Sequence, residues 1–132
     1  MKTASIDVLQ EGECRALLRT RTLGRVGVRH GEEILVLPVY YGVVDDRIVF
    51  RTAPGAKLDA AVLGMTVAFE VDQGSPGWSV LVHGRAEEIR LHDDEVKART
   101  RLGHDWPAGE RERLVAIRIE RITGRRLHVA AS

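Results

Sequence analysis

Ile48-Val49-Phe50-Arg51-Thr52-Ala53-Pro54-Gly55-Ala56-Lys57-Leu58 reads as the end of a β-strand, a tight turn and the first turn of a helix. Ile48, Val49 and Phe50 are β-branched or aromatic, the residue types that pack on a pleated surface. Pro54 and Gly55 punctuate the turn, and residues 56–63 are helix formers with no internal breaker. Arg51 and Lys57 flank the turn, with Thr52 and Ala53 between them. A strand-end arginine, a hydroxyl and a first-turn lysine can converge on one anion, and the N–H groups of a helix start add to the attraction. A lysine in that position otherwise opposes the helix dipole, a conflict that an anionic ligand resolves. The competing reading is that both cations are solvated surface charges.

Outward from that stretch, the chain is a series of short strands. Upstream, residues 25–29 alternate with Val26 and Val28 on one side, and His30-Gly31-Glu32 supplies a hairpin turn. Residues 34–44 form a longer strand interrupted by Pro38. Proline cannot donate to a ladder, so the strand is expected to bend, bulge or lie at an edge there, leaving the backbone of residues 37–40 to meet a ligand. Asp45-Asp46 then turns the chain back into the strand that ends at Arg51. Further upstream, residues 5–9 read as a lead-in and residues 11–19 as a short helix stopped near Gly24.

Downstream, residues 66–72 alternate through Val67, Phe69 and Val71. A loop at 73–77 precedes a long strand over 78–90, in which Gly84 predicts a bulge or a close backbone approach. Residues 93–102 read as a polar helix capped by Asp93. Residues 103–109 are a loop carrying His104 and Trp106, suited to closing over a site. A strand over 114–122 follows, with a short final strand over 123–130. Strands joined by short turns, without regular crossover helices, favour an antiparallel sheet closed into a barrel over a parallel doubly wound fold.

Composition narrows the function. The 132 residues fit one domain spanning 1–132, and 44% apolar with 30% charged residues is the balance of a folded soluble chain. A net charge of +1 gives no field directed at nucleic acid or a membrane surface. The one cysteine, Cys14, excludes an internal disulfide, and no apolar run approaches a membrane span or a signal core. A cytoplasmic location is expected. The histidines at 30, 83, 92, 104 and 128 are scattered, without the helical pairing of a zinc site or a Ser/His/Asp set. No catalytic residue and no metal ligand is assigned.

Taken in order, Gly-Arg-Val-Gly-Val, the strand with a central proline, Phe-Arg-Thr-Ala-Pro-Gly-Ala-Lys, Val-Ala-Phe-Glu-Val-Asp and Gly-Trp-Ser-Val-Leu-Val-His-Gly-Arg-Ala resemble the pyridoxamine 5′-phosphate oxidase-like flavin proteins. The resemblance runs from about residue 9 to 126. It implies a mainly β fold, an antiparallel split β-barrel of the FMN-binding type with short helices. It implies FMN, or alternatively an 8-hydroxy-5-deazaflavin coenzyme, in two sites at the interface of a homodimer. Carried over, Arg51, Thr52 and Lys57 would hold the phosphate, with Ala53 also among the cofactor-binding residues. Leu37, Pro38, Val39 and Tyr40 would lie along the ring, Trp78 and Ser79 would approach from the other subunit, and Trp106 would sit in a lid. The activity implied is an oxidoreductase acting on a small molecule by hydride transfer at the flavin, the chemistry being mostly the cofactor's. A flavin-binding sensor or store without turnover is the alternative, and a barrel that has lost its ligand a third. True pyridoxamine 5′-phosphate oxidases are longer and carry a second phosphate cradle that is not evident here, which argues against vitamin B6 oxidation; His83 and Arg85 are left without a role.

Overall fold

Two-residue periodicity lays down a sheet. The computed structural model describes residues 2–75, 77–90, 92–102 and 113–131. Its strands are β1 (Lys2–Val8), β2 (Leu23–His30), β3 (Glu33–Val44), β4 (Arg47–Thr52), β5 (Thr66–Gly74), β6 (Gly77–Glu88) and β7 (Arg113–Ala131). Its helices are α1 (Glu11–Leu18), α2 (Ala56–Val62) and α3 (His92–Leu102). All pairings are antiparallel, in the order β1-β7-β4-β3-β2-β5-β6, and β6 pairs again with β7 to close the barrel.

The inward-facing residues form one apolar core. Val26 and Val28, Val39 and Tyr41, Ile48 and Phe50, Phe69 and Val71, Val80 and Val82, and Val115 and Ile117 meet there, with Cys14 and Leu18 of α1 and Ala60 and Ala61 of α2 covering the ends. β4 is buried on its second face as well: Val49 packs with Ala116, Leu114, Ile89 and Ala98 of α3. That second cluster seats α3 against β3 and β4.

The barrel is split along β3. Its first part, through Tyr40, pairs with β2, and its last part, Tyr41 to Val44, pairs with β4. β4 continues past Phe50 without following β3, and Arg51 and Thr52 pair with Leu114 and Arg113 of β7 instead. On the other side, β2 meets β5 over only Arg25 to Gly27. Asp45 and Asp46 sit at φ 47° and 66°, the paired left-handed geometry that a two-residue hairpin requires, and aspartate tolerates it.

The bulge expected at Gly84 is present. His83 faces Arg121 and Gly84 faces Ile119, so Glu120 is the extra residue on β7. It leaves Leu81, His83 and Arg85 on the outer side while Val80, Val82 and Ala86 point inward.

Four local readings are corrected. Residues 5–8 belong to β1, held by the far end of β7. Gly24 does not stop α1, which ends at Leu18 with Arg19 as its cap; Gly24 lies inside β2, where a side chain would strike the Phe69 ring. Gln73 and Gly74 extend β5 rather than starting a loop. Residues 113–131 form one strand, because β7 changes partner along its length from β4 to β6 and β1 without a break.

Candidate functional site

The site grows from the place where β3 parts from β4. Along the first half of β3, Leu35 and Leu37 pack toward the core and Val39 is buried, while Ile34, Val36, Pro38 and Tyr40 are exposed. The result is an apolar stripe on the outer face. Tyr41 N–H donates to Thr22 O at 2.9 Å, so by strand alternation Val39 also turns its backbone toward β2. The backbone polar edge of Pro38 and Tyr40 therefore faces the split. Proline fits there, since a ladder donor is not required on that side. Of residues 37–40, then, Pro38 and Tyr40 present themselves outward, and Leu37 and Val39 serve as their inner supports.

Arg51 continues β4 into the same place. Tyr40 and Arg51 line one cavity of about 110 Å³ together with Thr22, Tyr41, Arg101 and Leu102. Arg51 Nε and Nη1 are shielded from solvent. Thr52 is buried, and its hydroxyl donates to Ala53 O at 3.0 Å, which fixes the turn. Ala53 is exposed. Lys57 lies in the first turn of α2 and is half-buried; loss of water around its ammonium group lowers its pKa below the usual lysine value. An anion beside Lys57 would reverse that penalty. Asp59, also in that first turn, meets His30 Nε2 at 3.1 Å and ties the β2–β3 hairpin to α2.

Trp78 and Ser79 are held elsewhere in the chain. Trp78 is buried, with the Arg21 guanidinium 6.0 Å from its ring centre. Together with Ser79 it lines a cavity of about 370 Å³ that also includes Ile6, Asp72, Arg125 and Leu127. The fold brings Tyr40 to Arg51, and Trp78 to Ser79, as two separate groups. Trp106 and His104 lie outside the described residues.

Two features escape sequence reading. Arg101 of α3 reaches back over Gly42 of β3 and lines the Arg51 cavity. In the sequence it is one of several charges on a polar helix, with no signal of its own. The second is Glu70. Cross-strand rows place Arg25 beside both Pro38 and Glu70 on the outer face. Burial, together with a hydrogen bond to Asp72 and its nearby charge, pushes the Glu70 carboxyl up to about 7, against the pull of Arg25. The Arg25 guanidinium is 3.6 Å from both carboxylates, so it is shared between them and does not outweigh the desolvation. A carboxyl that exchanges its proton near neutrality thus lies two strands from the Pro38 stripe, with Arg25 of β2 between them.

Residues 10–126 match the family model described as pyridoxamine 5′-phosphate oxidase. An uncharacterized protein of Mycobacterium tuberculosis is 37% identical over 129 residues, covering 90% of this chain and 84% of that one. A crystal structure from Corynebacterium glutamicum, provisionally named a pyridoxamine 5′-phosphate oxidase, superposes with a TM-score of 0.82 at 34% identity, covering 96% of this chain and 100% of that one. The FAD binding protein of Mycobacterium smegmatis gives a TM-score of 0.77 at 31% identity, over 92% of this chain and 99% of that one. With the split antiparallel barrel in place and the match spanning nearly its whole length, this chain belongs to the pyridoxamine 5′-phosphate oxidase family.

Proposed function

We propose that this chain binds a flavin across the outer face of β3 and acts as an oxidoreductase on a small molecule. One observation carries the reading: Tyr40 and Arg51 line a single cavity at the point where β3 leaves β4. An apolar stripe that suits a flat ring, Pro38 and Tyr40, there runs into a cation that suits a phosphate, Arg51, and in this reading Lys57 in the first turn of α2 is the second cation. A flavin has the same two-part chemistry. The Mycobacterium smegmatis relative, named as an FAD binding protein, supports this reading.

A bound flavin exchanges hydride at its N5 atom, and the protein's contribution is position, electrostatics and exclusion of water. In this reading Pro38 and Tyr40 form the surface on which the ring rests. The split-facing polar edge of β3 meets the ring's acceptors, and Arg51 and Lys57 anchor the phosphate. The side chains of Leu37 and Val39 hold the stripe flat from inside.

The active form in this reading is a homodimer. Ile34 and Val36 are 71% and 65% exposed, on the same face as Tyr40, which is a large apolar area for a lone protomer to leave in water. A second copy would cover that face and bring its Trp78 and Ser79 toward the ring. Sedimentation at micromolar concentration checks this; the proposal expects dimer, and monomer alone contradicts it.

Titrating cofactor-stripped protein with FMN, FAD and an 8-hydroxy-5-deazaflavin coenzyme, followed by flavin fluorescence, tests the function. Uptake of FMN or FAD is expected, with oxidation of a reduced pyridine nucleotide as the sign of turnover. Uptake of the deazaflavin alone would move the chain to a deazaflavin-dependent reductase. Binding without any turnover would leave a sensor or store.

A further inference from the structure

We propose that the cavity at Ser79 and Arg125 is the pocket of the small-molecule substrate, and that this substrate is an organic carboxylate with a flat apolar body. Its place in the reaction rests on the flavin reading above; the pocket itself rests on the geometry of β5, β6, β7 and β1.

Two neighbouring cross-strand rows build the cavity. In the first, Asp72 of β5 pairs with Ser79 of β6, and Ser79 with Arg125 of β7. In the second, two residues away along each strand, Gly74 pairs with Gly77, Gly77 with Leu127, and Leu127 with Ile6 of β1. Residues two apart on a strand share a face, so both rows look to the same side of the sheet. Over β5 and β6 the second row carries no side chain, and Gly74 and Gly77 leave bare backbone as a floor that a flat group can approach closely. Over β7 and β1, Leu127 and Ile6 stand beside that floor as an apolar wall, 44% and 60% exposed. The volume of about 370 Å³ is that of a small-ligand pocket.

The polar side chains around the floor decide the charge of the ligand. Asp72 is answered by the Arg25 guanidinium at 3.6 Å. Gln73 uses both ends of its amide within the chain: Oε1 accepts from Arg21, and Nε2 donates to Ser75 O. Ser79 and Arg125 remain, and among the described residues neither side chain has a hydrogen-bond or ion-pair partner. They are directly opposed across β6 and β7, so a hydroxyl and a guanidinium converge on one anion. The planar fork of arginine matches a carboxylate with two parallel hydrogen bonds. A single free guanidinium balances one negative charge, and Asp72 in the same row opposes a second, which favours a carboxylate over a phosphate dianion. In the dimeric reading, Trp78 and Ser79 of one copy turn toward the ring bound by the other. Both line this cavity, so its ligand is brought to that ring.

Calorimetric titration of the flavin-loaded protein with cinnamate, its uncharged amide and phenyl phosphate tests the proposal. R125Q and Gly74→Leu are the variants, with circular dichroism as the check on folding. Position 74 has room for a side chain, since a Cβ there meets nothing within 4 Å. Cinnamate is expected to bind at least about tenfold tighter than the amide or phenyl phosphate, the size of one charge-assisted hydrogen bond. R125Q should bring the acid-to-amide affinity ratio close to one, and Gly74→Leu should weaken both. The visible spectrum of the bound flavin should shift as cinnamate saturates, with the flavin retained. No binding of cinnamate, equal binding of acid and amide, tighter phenyl phosphate, or affinities unmoved by either variant overturns the proposal while leaving flavin binding intact. Displacement of flavin by cinnamate overturns it too, since the pocket would then be part of the cofactor site. Heat of binding without a spectral change puts the pocket away from the ring and overturns the substrate role. A protein that takes up no flavin overturns the flavin reading and the substrate role with it, and the same titration of the bare chain still decides whether the carboxylate pocket exists.

Discussion

Gly42 lies under the aliphatic stem of Arg101: a Cβ at position 42 would stand 2.7 Å from Arg101 Cγ. β3 and α3 therefore meet at a position where only a hydrogen fits, and that contact decides where the guanidinium of Arg101 is carried. Gly42→Ala should lift the Arg101 stem off the strand. The expected outcome is a fall in flavin affinity of about tenfold, the size of one charge-assisted contact at the cavity that Arg101 shares with Tyr40 and Arg51, with the circular dichroism spectrum kept. Titration of the variant with flavin checks it, and unchanged affinity would show that Arg101 does not depend on this contact.

Lys57→Ala removes the half-buried ammonium group at the start of α2. A charged hydrogen bond to phosphate is worth about 1.5–3 kcal/mol, so flavin affinity should fall by about ten- to a hundredfold. Stability should hold or rise slightly, because the buried charge carries a desolvation cost. Equal affinity in variant and parent would return Lys57 to the role of a solvated surface charge.

Glu70 gives the protein a pH signature. Its folded-state pKa is raised to about 7 from the ordinary 4.5, so between those values the folded state holds a proton that the unfolded state has lost. Stability from this group is thus present at acid pH and is lost as pH rises through that window. Glu70→Gln keeps the hydrogen-bonding shape and removes the titration. The melting temperature of the variant should exceed that of the parent at pH 8 by more than at pH 5. The same difference at both pH values would mean that Glu70 titrates normally.

Gly84 is a packing point of the barrel seam. A Cβ there would collide with the Arg118 carbonyl oxygen and stand 2.9 Å from Ile117 Cγ2. The first of these is backbone of the β6–β7 ladder and cannot swing aside. Gly84→Ala is expected to cost about 3 kcal/mol, at the upper end of overpacking penalties. Denaturant unfolding measures it, and a loss below about 0.5 kcal/mol, the range of ordinary surface substitutions, would mean that the bulge adapts.

Much of this architecture is legible in the residues. Pro38 announces the split because it lacks a donor, and Asp45-Asp46 announces the hairpin because aspartate accepts positive φ. Gly84 announces the bulge because a side chain has no room there. What escaped depends on contacts distant in sequence. Gly24 resembles a helix stop, but it is a strand residue that makes room for Phe69, some 45 positions on. The unbroken course of β7 follows from its three successive partners rather than from its own propensities. Arg51, Tyr40 and Pro38 stand out by residue type at a strand end or break. Arg101 does not, since only the seating of α3 on β4 places it beside Tyr40 and Arg51.

A crystal structure of the protein grown with FAD or FMN tests the central claim most directly. The account predicts the ring in van der Waals contact with Pro38 and Tyr40, and its first phosphate within hydrogen-bond distance of Arg51 and Lys57. A ring lodged away from residues 37–41, or a phosphate with neither cation beside it, would contradict it.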